Sequence, residues 1–296
     1  SAAVQADGRI IVAGSSNTAG TPDLAVLRYN TDGTLDAGFG AAGVVITDLG
    51  GTADLVASVQ VQADGKIVAA GRNNAGNIVV VRHNANGTLD AGFGAGGVVL
   101  TDLGSSSDLA ESVAVQADGK LVVAGFRNVS EGDFAVVRYN ANGTLDAGFG
   151  TAGVVITNLG ASEFSEAVAV QTDGKIVVAG YQEVGAVDND IALVRYNADG
   201  TLDAGFGTAG AVITDLGGSN DRAFDMVLQA DGKIIVAGPS NGSGTNDFAV
   251  VRYNTDGTLD AGFGTAGVVT SDLGGADSAD GVAVQADGQI VVVGRS

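Results

Sequence analysis

Oxygen ligands and a single histidine are the residues of this sequence whose types and spacing could do chemistry. The stretch Asn197-Ala198-Asp199-Gly200-Thr201-Leu202-Asp203 sets three hard oxygen donors, Asn197, Asp199 and Asp203, at a spacing akin to a calcium loop. It is short of ligands, lacks a distal bidentate Glu, and carries Asn86 and Asn142 where other copies have Asp. The same spacing also makes an Asx-type turn, in which Asp36, Asp90, Asp146, Asp203 and Asp260 accept backbone N–H bonds. The turn is the expected use; calcium is the one cofactor these loops leave open.

The string Gly148-Phe149-Gly150-Thr151-Ala152-Gly153 satisfies the dinucleotide pattern GxGxxG, as do four other copies. Here it leads into a strand-like run, not out of one into a helix, so turn geometry is expected and Phe39, Phe93, Phe149, Phe206 and Phe263 become core plugs. His83 stands where Tyr29, Tyr139, Tyr196 and Tyr253 stand in other copies, which makes it a replacement for a structural aromatic. With one histidine and no cysteine, neither a triad nor a zinc site can be assembled in the usual ways. Paired carboxylates could still do acid–base work, as in a glycosidase, but no pair departs from the recurring pattern. No catalytic residue is expected, and the chain is not expected to be an enzyme.

The elements that carry these residues recur. The segment VQADGK and its near copies return at Gly8, Gly65, Gly119, Gly174, Gly232 and Gly288, at spacings of 57, 54, 55, 58 and 56. Each period holds four runs rich in Val and Ile, of the types VAVQ, KIVVAG, FAVVRYN and GVVIT. The first two are joined by Asp-Gly, as in Asp118-Gly119, a strong hairpin signal. Four antiparallel strands per period describe a propeller blade. The expectation is an all-β propeller of five four-stranded blades with an extra half-repeat, in one domain over 1–296. Its repeats run over about 1–57, 58–111, 112–166, 167–224 and 225–280, with a partial one at 281–296. A six-bladed ring or a longer array also fits the count.

Each third run bears an Arg (Arg28, Arg82, Arg138, Arg195, Arg252). With the hairpin bases Arg9, Lys66, Lys120, Lys175 and Lys233 these make 10 of the 14 positive charges. Because they recur with the fold they are framework, expected to pair with a repeat-borne Asp such as that of LDAGFG by charge-assisted bonds. From hairpin Gly to that Arg the distance varies, at 20, 17, 19, 21 and 20 residues; from the Arg to the next hairpin Gly it is 36 or 37. Nearly all insertions therefore fall between the second and third strands. The stretch after DLG varies in composition, and it emerges at the same end of the sheet. That diversified rim holds Glu131, Asp133, Tyr181, Glu183, Asp188, Asp190, Asn246 and Asp247, the candidate ligand-binding residues. An aromatic such as Tyr181 among carboxylates and amides could stack on a sugar and bond its hydroxyls, or the acids could coordinate calcium.

Bulk properties narrow the partners. With 34 acidic and 14 basic residues the net charge is -20, which disfavours nucleic acid and anionic membrane. Apolar residues make up 45% of the chain, enough for a core, yet no run nears the roughly 20 residues of a membrane helix. No signal-peptide pattern opens the chain, which starts Ser1-Ala2-Ala3; a soluble, processed protein or a segment of a longer one is expected.

In every repeat, YNADGTLDAGFGTAGAVITDLG preceded by VQTDGKIVVAG resembles the bacterial delta-60 repeat, a tandem repeat of large surface or secreted proteins. The resemblance implies a propeller at a bacterial cell surface or outside the cell, and it brings no catalytic residues. The functional expectation is a non-enzymatic recognition, adhesion or scaffold module that binds a glycan or protein on its diversified rim. The alternatives are self-assembly into a filament or sheath through the spare hairpin and, last, a hydrolase or lyase acting on polysaccharides.

Overall fold

The computed structural model describes residues 1–17, 20–50, 53–105, 107–128, 132–185, 188–242 and 244–296. Five four-stranded antiparallel sheets and one two-stranded sheet follow one another, so the chain is an all-β propeller of five blades plus a half-repeat. The first blade comprises β1 (Ala2–Val4), β2 (Ile10–Ser16), β3 (Asp23–Tyr29) and β4 (Val44–Thr47). The second has β5 (Leu55–Val61), β6 (Ile67–Arg72), β7 (Ile78–His83) and β8 (Val98–Thr101). The third has β9 (Asp108–Val115), β10 (Leu121–Asn128), β11 (Gly132–Tyr139) and β12 (Val154–Thr157). The fourth has β13 (Ser162–Val170), β14 (Ile176–Val184), β15 (Asp188–Tyr196) and β16 (Ala211–Thr214). The fifth has β17 (Asp225–Leu228), β18 (Ile234–Ser240), β19 (Asp247–Tyr253) and β20 (Val268–Ser271), and the half-repeat pairs β21 (Ser278–Val284) with β22 (Ile290–Arg295). In each blade the strands lie in sequence order, as hairpin-linked neighbours should.

In the second, third and fourth blades the two central strands are buried on both faces, which is why KIVVAG and FAVVRY read as unbroken apolar runs, whereas β2 of the first blade alternates buried with half-buried or exposed residues. Ile176, Val177, Val178 and Ala179 of β14 are all fully buried, as are Ala192, Leu193 and Val194 of β15. Cores form where neighbouring sheets face each other: one joins Val177, Ala179, Leu193 and Phe206 to Ile234, Val236 and Val251, another joins Ile11, Val26 and Phe39 to Ile67, Ala69 and Val81. Each of the Val, Leu, Ile and Phe side chains contributes about 1.5–3 kcal/mol of burial. The Gly that ends KIVVAG is required by close approach. A Cβ on Gly180 would sit 1.9 Å from the Phe164 carbonyl oxygen, where the register between β13 and β14 slips at Ser165/Ala167.

The chain resolves into two compact units, Ser1–Ser130 with Ala135–Val155, and Glu131–Phe134 with Ile156–Ser296.

Candidate functional site

Each sheet has two ends of unlike character. At one end lie the Asp-Gly hairpin and the YNxDGTLDAGFG turn, and here every repeated carboxylate of the LDAGFG motif meets cations. Asp203 Oδ2 takes Arg195 Nε at 2.7 Å and Lys175 Nζ at 3.0 Å, while its Oδ1 accepts the Gly205 N–H at 3.1 Å. The same bonds recur at Asp36, Asp90, Asp146 and Asp260, whose arginine distances are all 2.8 Å. The Lys233 hydrogen bond, then the Gly262 N–H and Arg252, hold the Asp260 carboxyl down to about 2. Burial pushes Asp203 up, but Lys175, Gly205 and Arg195 outweigh it and hold it below the usual range.

Each arginine does more than pair. Arg195 lies 4.5 Å above the Phe206 ring and its Nη1 donates to the Thr255 carbonyl of the following blade; Arg82 does the same with Phe93 and the Ala141 carbonyl. The GFG turn adds an inter-blade bond from the Gly207 N–H to the Asp256 carbonyl at 2.8 Å. Recurring GxGxxG is therefore turn architecture. Phe39, Phe93, Phe149 and Phe206 are fully buried plugs, whereas Phe263 is half-buried, because the half-repeat supplies no third-to-fourth-strand turn to cover it.

Asn197, Asp199 and Asp203 belong to this end, and the turn commits oxygens of both carboxylates. Asp199 Oδ1 accepts the Thr201 N–H and hydroxyl at 3.0 and 2.7 Å, and Asn197 Nδ2 donates to Thr201 Oγ1 at 3.0 Å. His83 also has a structural place. Fully buried, its Nε2 lies 3.1 Å from Thr47 Oγ1, where Tyr139, Tyr196 and Tyr253 bond Thr101, Thr157 and Thr214 at 2.7 to 2.8 Å. Burial drives its imidazole down to about 4.

The other end of each sheet holds the variable loops, and there, among the described residues, no Lys or Arg forms an ion pair with Asp23, Asp48, Asp54, Asp190, Asp215 or Asp221. Antiparallel pairing of Leu24 with Thr47 brings Asp23, at the start of β3, beside Asp48, which follows β4, and Asp54 joins them just before β5. Ligand oxygens of Asp23, Asp48 and Asp54 lie within 4.8 Å of one another, as do those of Asp190, Asp215 and Asp221, and of Asp247, Asp272 and Asp277; each cluster could hold a metal ion. Asp48, Asp215 and Asp272 are exposed and cap their own turns through Gly50, Gly217 and Gly274. Asp54, Asp221 and Asp277 are buried, and Oδ2 of each accepts a backbone N–H, from Leu49, Leu216 and Leu273. Burial first, then the charges of Asp23 and Asp48, raise Asp54 above the usual carboxylate range; burial and then Asp188, Asp215 and Asp221 raise Asp190.

The second and third blades fill the same positions differently. Asn77, Asp102 and Asp108 stand in the second, and both oxygens of Asp108 have protein donors, the Leu103 N–H at 2.6 Å and the Ser105 hydroxyl. In the third, Asn158 stands for the middle Asp, and its Nδ2 donates to Asp133 Oδ1 at 2.8 Å.

Of the rim residues expected from sequence, Asp190 and Asp247 belong to these clusters and Asp133 to their counterpart in the third blade. Glu183 is exposed at the end of β14, and Asp188 is half-buried at the start of β15. Asn246 receives the Asn220 amide at 2.9 Å, and Tyr181 stacks on Phe164 at 5.1 Å with Arg222 4.5 Å from its ring centre, so both are already engaged within the protein. Glu131 lies outside the described residues. Sequence reasoning did not single out Asp23, Asp48, Asp54, Asp215, Asp221, Asp272 or Asp277. The signal was an Asp recurring 25 and then 30 or 31 residues after the third-strand Asp in the first, fourth and fifth repeats.

With fold and geometry in place, comparison with known proteins defines the class. The family model described as "Domain of unknown function (DUF5122) beta-propeller" matches residues 5–39, 62–93, 116–149, 171–206 and 229–263, over half of the chain. The chain belongs to that family. No curated protein shows significant sequence similarity to it. Among solved structures it is similar to a protein of unknown function from Dyadobacter fermentans (11% identity, 94% of this chain and 84% of that one, TM-score 0.56). It is also similar to a gluconolactonase from Xanthomonas campestris (15%, 98% and 80%, TM-score 0.52) and a Lactobacillus plantarum protein (14%, 97% and 82%, TM-score 0.51). At these identities the likeness shows the propeller fold and carries no activity across. Among the described residues no helix is long and apolar enough to cross a membrane.

Proposed function

We propose that the protein is a non-enzymatic recognition module of the delta-60 type, working at a bacterial cell surface or outside the cell. Its glycan or protein ligand meets the loops between second and third strands and those that precede each new first strand. One observation carries this reading: insertions gather at the sheet end that holds Asp54, Asp190 and Asp221, with which no Lys or Arg among the described residues forms an ion pair, while cations and acids at the other end satisfy one another. Loops on a rigid scaffold are where binding residues concentrate. The buried, Thr47-bonded His83 supports a non-catalytic role. A glycan-array and protein-binding screen, repeated with Glu183→Ala and Asp188→Ala, tests the reading. Loss of binding in these variants is expected. Binding that survives them and is abolished by changing exposed Leu202 at the constant end would overturn it.

A second reading is favoured by the half-repeat. β22 pairs only with β21 among the described residues, and its Val291 and Val293 are exposed. An open strand edge is a template for another strand, so copies of the chain would join edge to edge. Light scattering that shows a monomer at all concentrations would remove this reading.

A further inference from the structure

We propose that the variable end of the first, fourth and fifth blades is built as three calcium sites, Asp23/Asp48/Asp54, Asp190/Asp215/Asp221 and Asp247/Asp272/Asp277, one Ca²⁺ each. Three hard oxygen donors within 4.8 Å of one another match one ion. Ligands held at the 2.3–2.6 Å of Ca–O bonds lie at most about 5 Å apart, and a set of carboxylates on loop ends suits Ca²⁺, which takes several carboxylate oxygens in adaptable geometry.

Unpartnered buried oxygens are a second observation. Asp54 is 2% exposed and Asp221 and Asp277 are 0% exposed, yet Oδ1 of each has no hydrogen-bond donor. Asp190 Oδ1, in the same cluster as Asp221, also lacks one. A buried carboxylate oxygen without a donor is costly, and it is usually satisfied by a cation or a bound water. Among the described residues no Lys or Arg forms an ion pair with Asp54, Asp190 or Asp221, although acids at the other end of the same sheets each have two.

The remaining blades show what happens when the triad is incomplete. Where Asn158 replaces the middle Asp, its amide N–H points at Asp133 Oδ1, and where Asn77 replaces the first, Ser105 donates to the buried Asp108. Protein donors stand where a cation would otherwise be needed. In the full triads Oδ1 of Asp54, Asp221 and Asp277 has no such donor.

The sites do not depend on the recognition reading, since an ion count needs no macromolecular ligand. The purified chain, stripped with EDTA and dialysed, is titrated with CaCl₂ by calorimetry. Three ions are expected, two for Asp215→Asn and one for Asp48→Asn/Asp215→Asn, with Asp102→Asn still binding three. These are exposed positions, and Asn158 Oδ1 accepts the Gly160 N–H at 2.8 Å as the aspartates do, so the turns survive the change. No saturable calcium binding, or a count that Asp48→Asn/Asp215→Asn leaves unchanged, would overturn the proposal.

Discussion

The fourth blade carries two groups of carboxylates that differ in what surrounds them. At the constant end Asp203 is bonded by Arg195, Lys175 and a backbone N–H. At the variable end Asp190, Asp215 and Asp221 face one another, and among the described residues their donors are backbone N–H groups and the Gln182 side chain. The same residue type is therefore a clamp in one place and a source of repulsion in the other. Charged partners, not acidity, separate framework from site.

The widest contrast is expected from glycine. Gly207 in the constant turn has φ +52° and a Cβ there would lie 2.2 Å from the Ala211 carbonyl oxygen, whereas Gly217 at the variable end has φ +88° and nothing within 4 Å. Gly207→Ala should cost about 4 kcal/mol or more, and Gly217→Ala only about 1 kcal/mol, in urea unfolding. Equal costs would break the assignment of rigidity to the constant end. Arg195→Met comes next, at about 3 kcal/mol, because it strands part of the Asp203 charge and removes the bond to the next blade. A loss under about 1 kcal/mol would reduce the clamp to a surface ion pair.

Acid sharpens the same picture. Carboxylates held low at the constant end stabilise the fold above the ordinary value of 3.8 and lose that contribution only as pH falls through their folded values, about 2 for Asp260. His83 acts earlier. Its unfolded imidazole takes a proton near 6.5 and the folded one resists until about 4, so in that window the unfolded state binds more protons and stability drops as the pH is lowered. His83→Tyr should remove up to about 3 kcal/mol of acid sensitivity, seen as a flatter melting temperature from pH 6.5 to 4 than wild type shows. An unchanged profile would mean His83 is not buried neutral. Smallest of all, Glu183→Ala should shift stability by less than about 0.5 kcal/mol in a thermal melt, as an exposed residue at a strand end should.

Periodicity made the framework readable. Alternating apolar runs and Asp-Gly hairpins mark twenty-two strands, all of which form. The pairing of Arg195 with the LDAGFG Asp follows from two charges recurring in step. The triads were less legible for a geometric reason: Asp190, Asp215 and Asp221 are far apart in sequence and meet only because β15 and β16 pair antiparallel and the chain then turns toward the next blade. Asp215 also sits in a TDLG motif common to most repeats, which disguised a site residue as framework. Nor could composition reveal that Phe263 would be left half-covered, since that depends on what packs beside the last full blade.

The most direct test of the difference between the two ends is one substitution made at both. In chelator, Asp203→Asn should lower the stability of the chain by about 2 kcal/mol, since it uncouples Arg195 and Lys175, while Asp215→Asn should raise it by about 1 kcal/mol by relieving repulsion and offering Asp190 the amide bond that Asn158 gives Asp133. Opposite signs in paired urea melts are the predicted result. Destabilisation by both substitutions would contradict the account, because the variable-end acids would then already be satisfied within the protein.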